Sequence, residues 1–307
     1  MKAKRVNVAA YIAAIAYATI IGFSFLFVKL TVVAAHPLDV LAHRFFIGLV
    51  AVSIPFLFGW VHIRFTVRDI WRMIPLGLLS PVLFFAFQTY GLINASSSEA
   101  GIIQATVPIF TLLLASYFLK ERTSLFQKLS LMLSVAGVVF IFLMKGGSGL
   151  NAATLEGISL LLLSAVSFAG YSVLARPLTQ KYAPIELTLI TMGMGFLVFL
   201  TASLVRHTAE GTISTFFQPF THPMYVIALL YLGVVSSVGT TLLSSFALSR
   251  LEASKVSVFS NFSTLISITA GAFILHEDLT IYHVIGSIII IAGVLGTNRG
   301  KIRVKTS

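Results

Sequence analysis

Apolar residues fill the chain in long runs separated by short polar connections. A helix rises about 1.5 Å per residue, so roughly 20 apolar residues carry it across the hydrocarbon core of a bilayer. Membrane-spanning β-strands would be about half as long and would alternate apolar with polar positions. These runs do neither. The pattern predicts helices over 8–30, 37–59, 71–93, 99–119 and 127–144, and a second set over 157–176, 183–205, 223–244, 254–275 and 281–297. The expected fold class is all-α integral membrane with ten transmembrane helices. The connections are short except at 206–222, "RHTAEGTISTFFQPFTH", whose phenylalanines are expected to lie along the membrane surface.

The 307 residues are 57% hydrophobic and 10% charged, with a mean hydropathy of +0.98. A soluble domain carries about a quarter charged residues, so the solvent here is mostly lipid. The start "MKAKRVNV" reads as a short basic segment leading into a full span, not as a cleavable signal. A net charge of +11 points to nucleic acid only until the charges are placed. Nearly all lysines and arginines fall in alternate connections: around Lys2–Arg5, Arg64–Arg72, Lys120–Lys128, Arg176–Lys181, Arg250–Lys255 and Arg299–Lys305. Lys145 and Arg206 fall on the opposite side, and Lys29 and Arg44 lie within or near spans. This bias puts both termini in the cytoplasm. The absence of cysteine excludes disulfides, thiolate metal sites and a cysteine nucleophile.

The chain also resembles itself. At a shift of 156, residues 98–138 meet 254–294 without a gap: Ser98 on Ser254, Leu119 on Leu275, Glu121 on Glu277, and "AGV" at 136–138 on "AGV" at 292–294. "GFSFLF" (22–27) meets "GYSVLA" (170–175) at a shift of 148, and Pro37 and Asp39 meet Pro184 and Glu186 at 147. Five helices per copy is an odd number, so the second copy enters the membrane from the other side. Two inverted five-helix repeats are the signature of alternating-access carriers, with the substrate held near the midplane between the halves.

Helix 1 carries "IIGFSFLFVK", Pro37 and "HRFF" follow in helix 2, and helix 4 reads "TVPIFTLLLASYFLKER". These motifs, over ten helices in two copies, resemble the EamA family of the drug/metabolite transporter superfamily. The resemblance implies two EamA-like repeats, 1–148 and 149–307, forming one structural unit. It also implies a plasma-membrane exporter of amino acids or other small metabolites, with a cavity lined mainly by helices 1, 3, 4, 6, 8 and 9. Departures from the family pattern are Ile21 where a tryptophan often stands, and Thr191 and Thr264 where the first half has Arg44 and Pro108.

Gly101, Gln104, Pro108, Thr111 and Ala115 share one face of helix 4. Their repeat partners Ser257, Ser260, Thr264, Ser267 and Gly271 share the same face of helix 9, with Asn261 beside them. Such stripes suit close helix packing or a cavity wall. The carboxamides of Gln104 and Asn261 have more hydrogen-bonding groups than a tight seam satisfies, which favours a cavity. Gln88 follows the same logic opposite Ser244, and Tyr171 beside Gly170 is a further candidate. The expected substrate-binding set is Gln88, Gln104, Asn261, Ser260, Thr264, Ser244 and Tyr171.

Arg44 lies roughly 10 Å into helix 2, where an unpaired guanidinium is costly. It is assigned to gating, either as an outer gate or as an anion contact. A structural ion pair is the alternative, with Asp39 and Glu99 as neutralising acids. Lys29 is expected to snorkel. All ten acidic residues fall at helix ends or in loops, so no deep carboxylate relays protons and the expected cargo is neutral or zwitterionic. No cofactor and no metal are implied. The expected partners are a small-molecule metabolite and the lipid bilayer, not nucleic acid, and a homodimer is allowed. The competing functions are a carrier of lipid-linked or phosphorylated sugars, which would need several cavity cations, and an intramembrane enzyme. The latter would need a denser constellation than His43 beside Arg44 or His276 beside Glu277.

Overall fold

The computed structural model describes residues 2–62, 65–120, 124–145, 152–276 and 280–299, some of them by backbone alone. These form helices α1 (Lys2–Ala34), α2 (Pro37–Leu57), α3 (Arg68–Asn94), α4 (Ser97–Phe118) and α5 (Leu125–Lys145). The chain continues as α6 (Ala152–Lys181), α7 (Pro184–Glu210), α8 (Pro223–Leu248), α9 (Ala253–Val258), α10 (Ser260–Ile274) and α11 (Ile281–Arg299). No strand occurs among the described residues. Helices α1 to α4 and α6 to α8 are long and apolar enough to cross a membrane, and α5, α10 and α11 hold shorter apolar stretches.

Helix starts follow from local chemistry. Pro37 opens α2 at a position where its missing N–H costs nothing, and the His36 imidazole accepts from Leu38 N–H at 3.3 Å. Ser96 and Glu99 exchange side-chain-to-backbone bonds ahead of α4, at 3.1 and 2.8 Å. Ser124 with Gln127 and Thr280 with His283 cap α5 and α11 at positions 156 residues apart. α4 and α10 end alike: Lys120 and His276, also 156 apart, are the two non-glycine residues with positive φ among the described residues, each at 54°. Glu121 and Glu277, which mark this register in the sequence, lie outside the described residues.

Four helices depart from the regular spans that hydropathy suggests; one is α4, which breaks at Ala105 and Thr106. α3 and α8 widen into π-type turns over Leu78–Leu83 and Tyr231–Gly239. In α3 the cause is Pro81, which has no N–H to donate and drives Ser80 out of the helical region (φ −148°, ψ 121°). The ninth predicted span is two helices, α9 and α10, divided at Phe259, whose N–H bonds to Val256 O at 3.1 Å. No proline stands there. The flanking run "SVFSNFS" (257–263) is poor in strong helix formers.

α5 packs on α11, α2 on α7, and α4 on α10. α3 lies on α6 and α1 on α8; α1 also meets α10 and α4 meets α6. The π turn of α8 lies on α2, and that of α3 on α7. Most of the basic connections gather at one end of the bundle, called here the basic end. The other, with residues 35–36, 95–96 and 211–222, is the far end.

Candidate functional site

A narrow cavity of about 20 Å³, room for little more than a water molecule, lies between α1, α3, α6, α7 and α8; a metabolite needs it to widen. Its walls are Tyr17 and Ile21, Ser80 and Pro81, Phe84 and Phe85, Phe168 and Tyr171, Thr191 and Met192, and Thr240, Thr241 and Ser244. None is charged. The irregular turns of α3 and α8 supply or adjoin its small residues, and aromatic rings close it. Tyr171 stacks on Phe168 with centroids 5.7 Å apart, and Phe168 stacks on Tyr17 at 6.2 Å. The Tyr17 hydroxyl is buried with no hydrogen-bond partner. The cavity leans toward the basic end: Thr191 follows Pro184 by about two turns and Ser244 precedes Leu248 by about one.

Of the residues expected from sequence, Tyr171 and Ser244 are cavity walls. Gln88 is buried one turn beyond Phe84 and off the wall, with no partner for Oε1. Gln104 is buried at a break in α4, and its Nε2 has no partner. Thr264 donates to Gly101 O at 2.7 Å and Ser267 to Ser97 O at 2.7 Å, across the seam between α4 and α10. A Cβ on Gly101 would stand 2.5 Å from the Ser267 Cβ, so only glycine allows this approach. The side chains of Ser260 and Asn261 lie outside the described residues. The walls therefore include α7, which the family resemblance did not, and neither α4 nor α10. Tyr17, Thr240 and Thr241 were not singled out from sequence, and Thr191 only as a departure from the family pattern, although the run "SSVGTTLLSS" (236–245) is the most hydroxyl-rich stretch in any span.

Arg44 lies behind this wall. It is 1% exposed, with Nε donating to Ser237 Oγ at 2.7 Å and Nη2 to Ser236 Oγ at 3.0 Å. Its Cζ is 4.1 Å from the centroid of Phe85, itself a cavity wall. Among the described residues it has no carboxylate partner, and Nη1 has no hydrogen bond. The alternative of an ion pair with Asp39 or Glu99 is not formed. Asp39 binds Arg206 at 2.8 Å, His207 at 3.2 Å and Ser203 at 2.5 Å, and Glu99 accepts from Ser96 N–H at 2.8 Å. Geometry explains this. Asp39 is in the first turn of α2 and meets the last turns of α7, one helical turn and more from Arg44.

This cluster ties α2 to α7 at the far end, with Glu210 as a second acceptor for Arg206 at 2.8 Å. A polar hollow of about 640 Å³ adjoins it, lined by His36, Asp39, Arg206, Thr215, Gln218 and His222 among others. Partial burial, then the Arg206 guanidinium, pushes the His36 imidazole below its ordinary pKa. His43 bonds Tyr225 Oη at 2.9 Å within rings from Phe216, Phe217 and Phe220, so the connection after α7 folds inward on α2.

Cations also cap helices at the two ends. Lys29 Nζ donates to Leu92 O and Ala95 O, both at 2.8 Å. It thus satisfies the last carbonyls of α3 instead of snorkelling. Arg176 Nη1 donates to Leu248 O and Leu251 O at the end of α8. These are the same two carbonyls after a shift of 156. At the basic end Asp69 accepts from Tyr182 Oη at 2.5 Å and from Lys181 Nζ at 3.2 Å, joining α3 to the end of α6.

A bundle of apolar helices around an uncharged, hydroxyl-bearing cavity, tied by polar clusters at both ends, has the build of a multi-pass membrane transporter. The EamA-like transporter family matches residues 8–143 and again 155–299, and the chain belongs to that family. A relative from Bacillus subtilis (strain 168), "Uncharacterized transporter YcxC", is 52% identical over 94% of this chain and 92% of its own length. An "Uncharacterized transporter" from Archaeoglobus fulgidus is 27% identical over 89% and 92%. The "WAT1-related protein At1g44800" of Arabidopsis thaliana is 23% identical over 78% and 70%. A crystal structure with 20% sequence identity covers 91% of this chain and 95% of its own, with a TM-score of 0.64, a likeness of fold.

Proposed function

We propose that the protein is a plasma-membrane carrier that exports small neutral or zwitterionic metabolites, amino acids among them, by alternating access. Both termini lie in the cytoplasm, so the basic end faces inward. The cavity carries the proposal: its uncharged walls come from helices on both sides of residue 148 and offer hydroxyls on an aromatic frame. Walls without lysine or arginine do not favour a phosphorylated sugar.

Two inverted five-helix repeats, 1–148 and 149–307, underlie this proposal, and paired contacts support them. Gly77 touches Met194 and Gly233 touches Ile47; Gly48 touches Met192 and Gly195 touches Phe45. Gly137 meets Gly286 and Ile290, while Gly293 meets Ser130 and Ser134. Each contact maps onto its mate under the sequence shifts of 147 and 156. The helix caps and the two left-handed residues obey the same shift.

Tyr171, Ser244, Thr191, Thr240 and Thr241 are the groups proposed to bind cargo. Gln88 and Gln104 hold buried, unpartnered amide atoms ready for a rearranged site, and Asn261 and Ser260 remain candidates on sequence grounds. Thr264 is assigned to helix packing. The test compares compounds released by cells overproducing the wild type or Ser244→Trp, which fills the cavity, at equal membrane yield. A compound exported by the wild type alone is the expected result. Identical release profiles would remove the assignment.

A further inference from the structure

Arg44 and Thr191 occupy equivalent places in the two halves, 147 residues apart, yet Thr191 is a cavity wall and Arg44 is sealed behind one. In a carrier of inverted repeats, access alternates by movement of one half against the other around the shared site. We take the two halves to exchange conformations in that movement. Each wall residue then gives up its place to its counterpart. Applied here, Ser80 and Pro81 yield to Ser236 and Ser237, Ser244 to Gln88, and Thr191 to Arg44. Phe84 and Phe85 exchange with Thr240 and Thr241, which already face the same space.

We infer that Arg44 enters the cavity in the opposite-facing state, accompanied by Ser236, Ser237 and Gln88, and there binds an anionic group, a carboxylate, on the cargo. The inference rests on the transport and repeat proposals above. Three features of the present state prepare for it. The guanidinium keeps its charge under all ordinary conditions, and among the described residues no carboxylate answers it. Its hydrogen bonds go to Ser236 and Ser237, the very residues due to enter the cavity with it. Gln88 waits with a buried Oε1 that bonds to nothing. A buried cation held only by neutral hydroxyls and a ring face is a costly arrangement inside a membrane. A site visited by an anion in each cycle gives it a purpose.

The two states then differ in chemistry. Toward the basic end the cavity is uncharged, and toward the far end it is cationic. A cargo lacking an anionic group has no counterpart for Arg44. Among the neutral and zwitterionic cargoes proposed above, this selects zwitterions of metabolite size, which carry a carboxylate.

The chain has no cysteine, so single-cysteine labelling has no background. Ser80→Cys and Ser236→Cys are labelled in right-side-out and inside-out vesicles with a membrane-impermeant thiol reagent. Ser80→Cys should react from the basic face and Ser236→Cys from the far face, with Gln88→Cys as a second far-face reporter should Ser236→Cys fold poorly. In parallel, each compound whose efflux requires the wild-type protein is compared with its carboxamide in thermal protection of the purified wild type. The carboxylate should bind about 10- to 100-fold more tightly, and Arg44→Gln should abolish that preference while Arg44→Lys keeps part of it. Far-face reporters that never react, or equal binding of acid and amide, would overturn the role of Arg44. A lack of any wild-type-dependent efflux would instead remove the transport proposal beneath it.

Discussion

Arg44 Nε donates to Ser237 Oγ at 2.7 Å across the contact between α2 and α8, so a charged donor and a π-type turn hold each other in place. Ser237→Ala leaves that donor unsatisfied while Ser236 still binds Nη2. The expected loss is about 1–3 kcal/mol, read as a lower unfolding midpoint in detergent. Ser237→Thr, which restores the hydroxyl, should recover most of it. An unchanged midpoint for the alanine variant would show that the bond contributes nothing to stability.

Asp39 is buried and Arg206 only partly so, and breaking their pair should cost more than breaking an exposed one. Asp39→Asn leaves the guanidinium with His207 Nε2 at 2.9 Å and with Glu210, whose side chain is half exposed. The expected cost is about 3 kcal/mol, the low end for breaking one partner of a buried pair. Glu210→Gln should cost under about 0.5 kcal/mol, because exposed i,i+4 pairs contribute little. Denaturant titration of both variants separates the two contributions, and equal losses would contradict the difference in burial.

Thr264 and Ser244 should part company in transport. Thr264→Val removes the bond to Gly101 O, at about 1 kcal/mol of stability, and should leave the KM for cargo unchanged. Ser244→Ala should raise KM with little loss of stability, since its own hydroxyl bond, to Thr241 O, is a long one at 3.2 Å. Gly101→Leu should prevent folding outright, as the seam has no room for a side chain. A raised KM for Thr264→Val would return that residue to the cargo site.

His36 gives the far end a dependence on pH. Its lowered pKa means that the unfolded chain binds more protons than the folded one just below the ordinary imidazole value of about 6.5. Stability from the neutral ring is therefore present above that value and lost as pH falls through it toward the folded pKa. Protonation at Nδ1 also forfeits the cap on Leu38 N–H. Melting temperature against pH should fall less steeply in His36→Asn, which keeps a capping oxygen and cannot titrate. Parallel curves would exclude His36 as the source.

Seven of the long apolar spans were legible in the sequence, because a span depends on local hydropathy along one helix. The caps that open the helices were not read there, although they depend on neighbours a few residues apart. Ser124 with Gln127 and Thr280 with His283 show how directly a shift of 156 becomes a pair of equivalent helix starts. The cavity was only partly legible. A stripe such as Gly101, Thr111 and Thr264 looks the same whether it faces a helix or an opening. The difference is whether each hydroxyl meets a carbonyl across the seam, as Thr264 does, and that depends on contacts more than a hundred residues apart in the chain. Asp39, weighed with Glu99 as a neutralising acid for Arg44, is held instead by Arg206, which reaches it from α7. The division of the ninth span at Phe259 came from weak local propensity that hydropathy does not register.

The walls of the cavity include no side chain that ionises near neutral pH. The membrane voltage therefore finds no charge on those walls to act upon. A moving charge feels about 2.3 kcal/mol for each 100 mV it crosses, and in this state that force falls on whatever the cavity contains. Current recorded during turnover would then report the valence of the cargo itself, adjusted by any travel of Arg44 through the field.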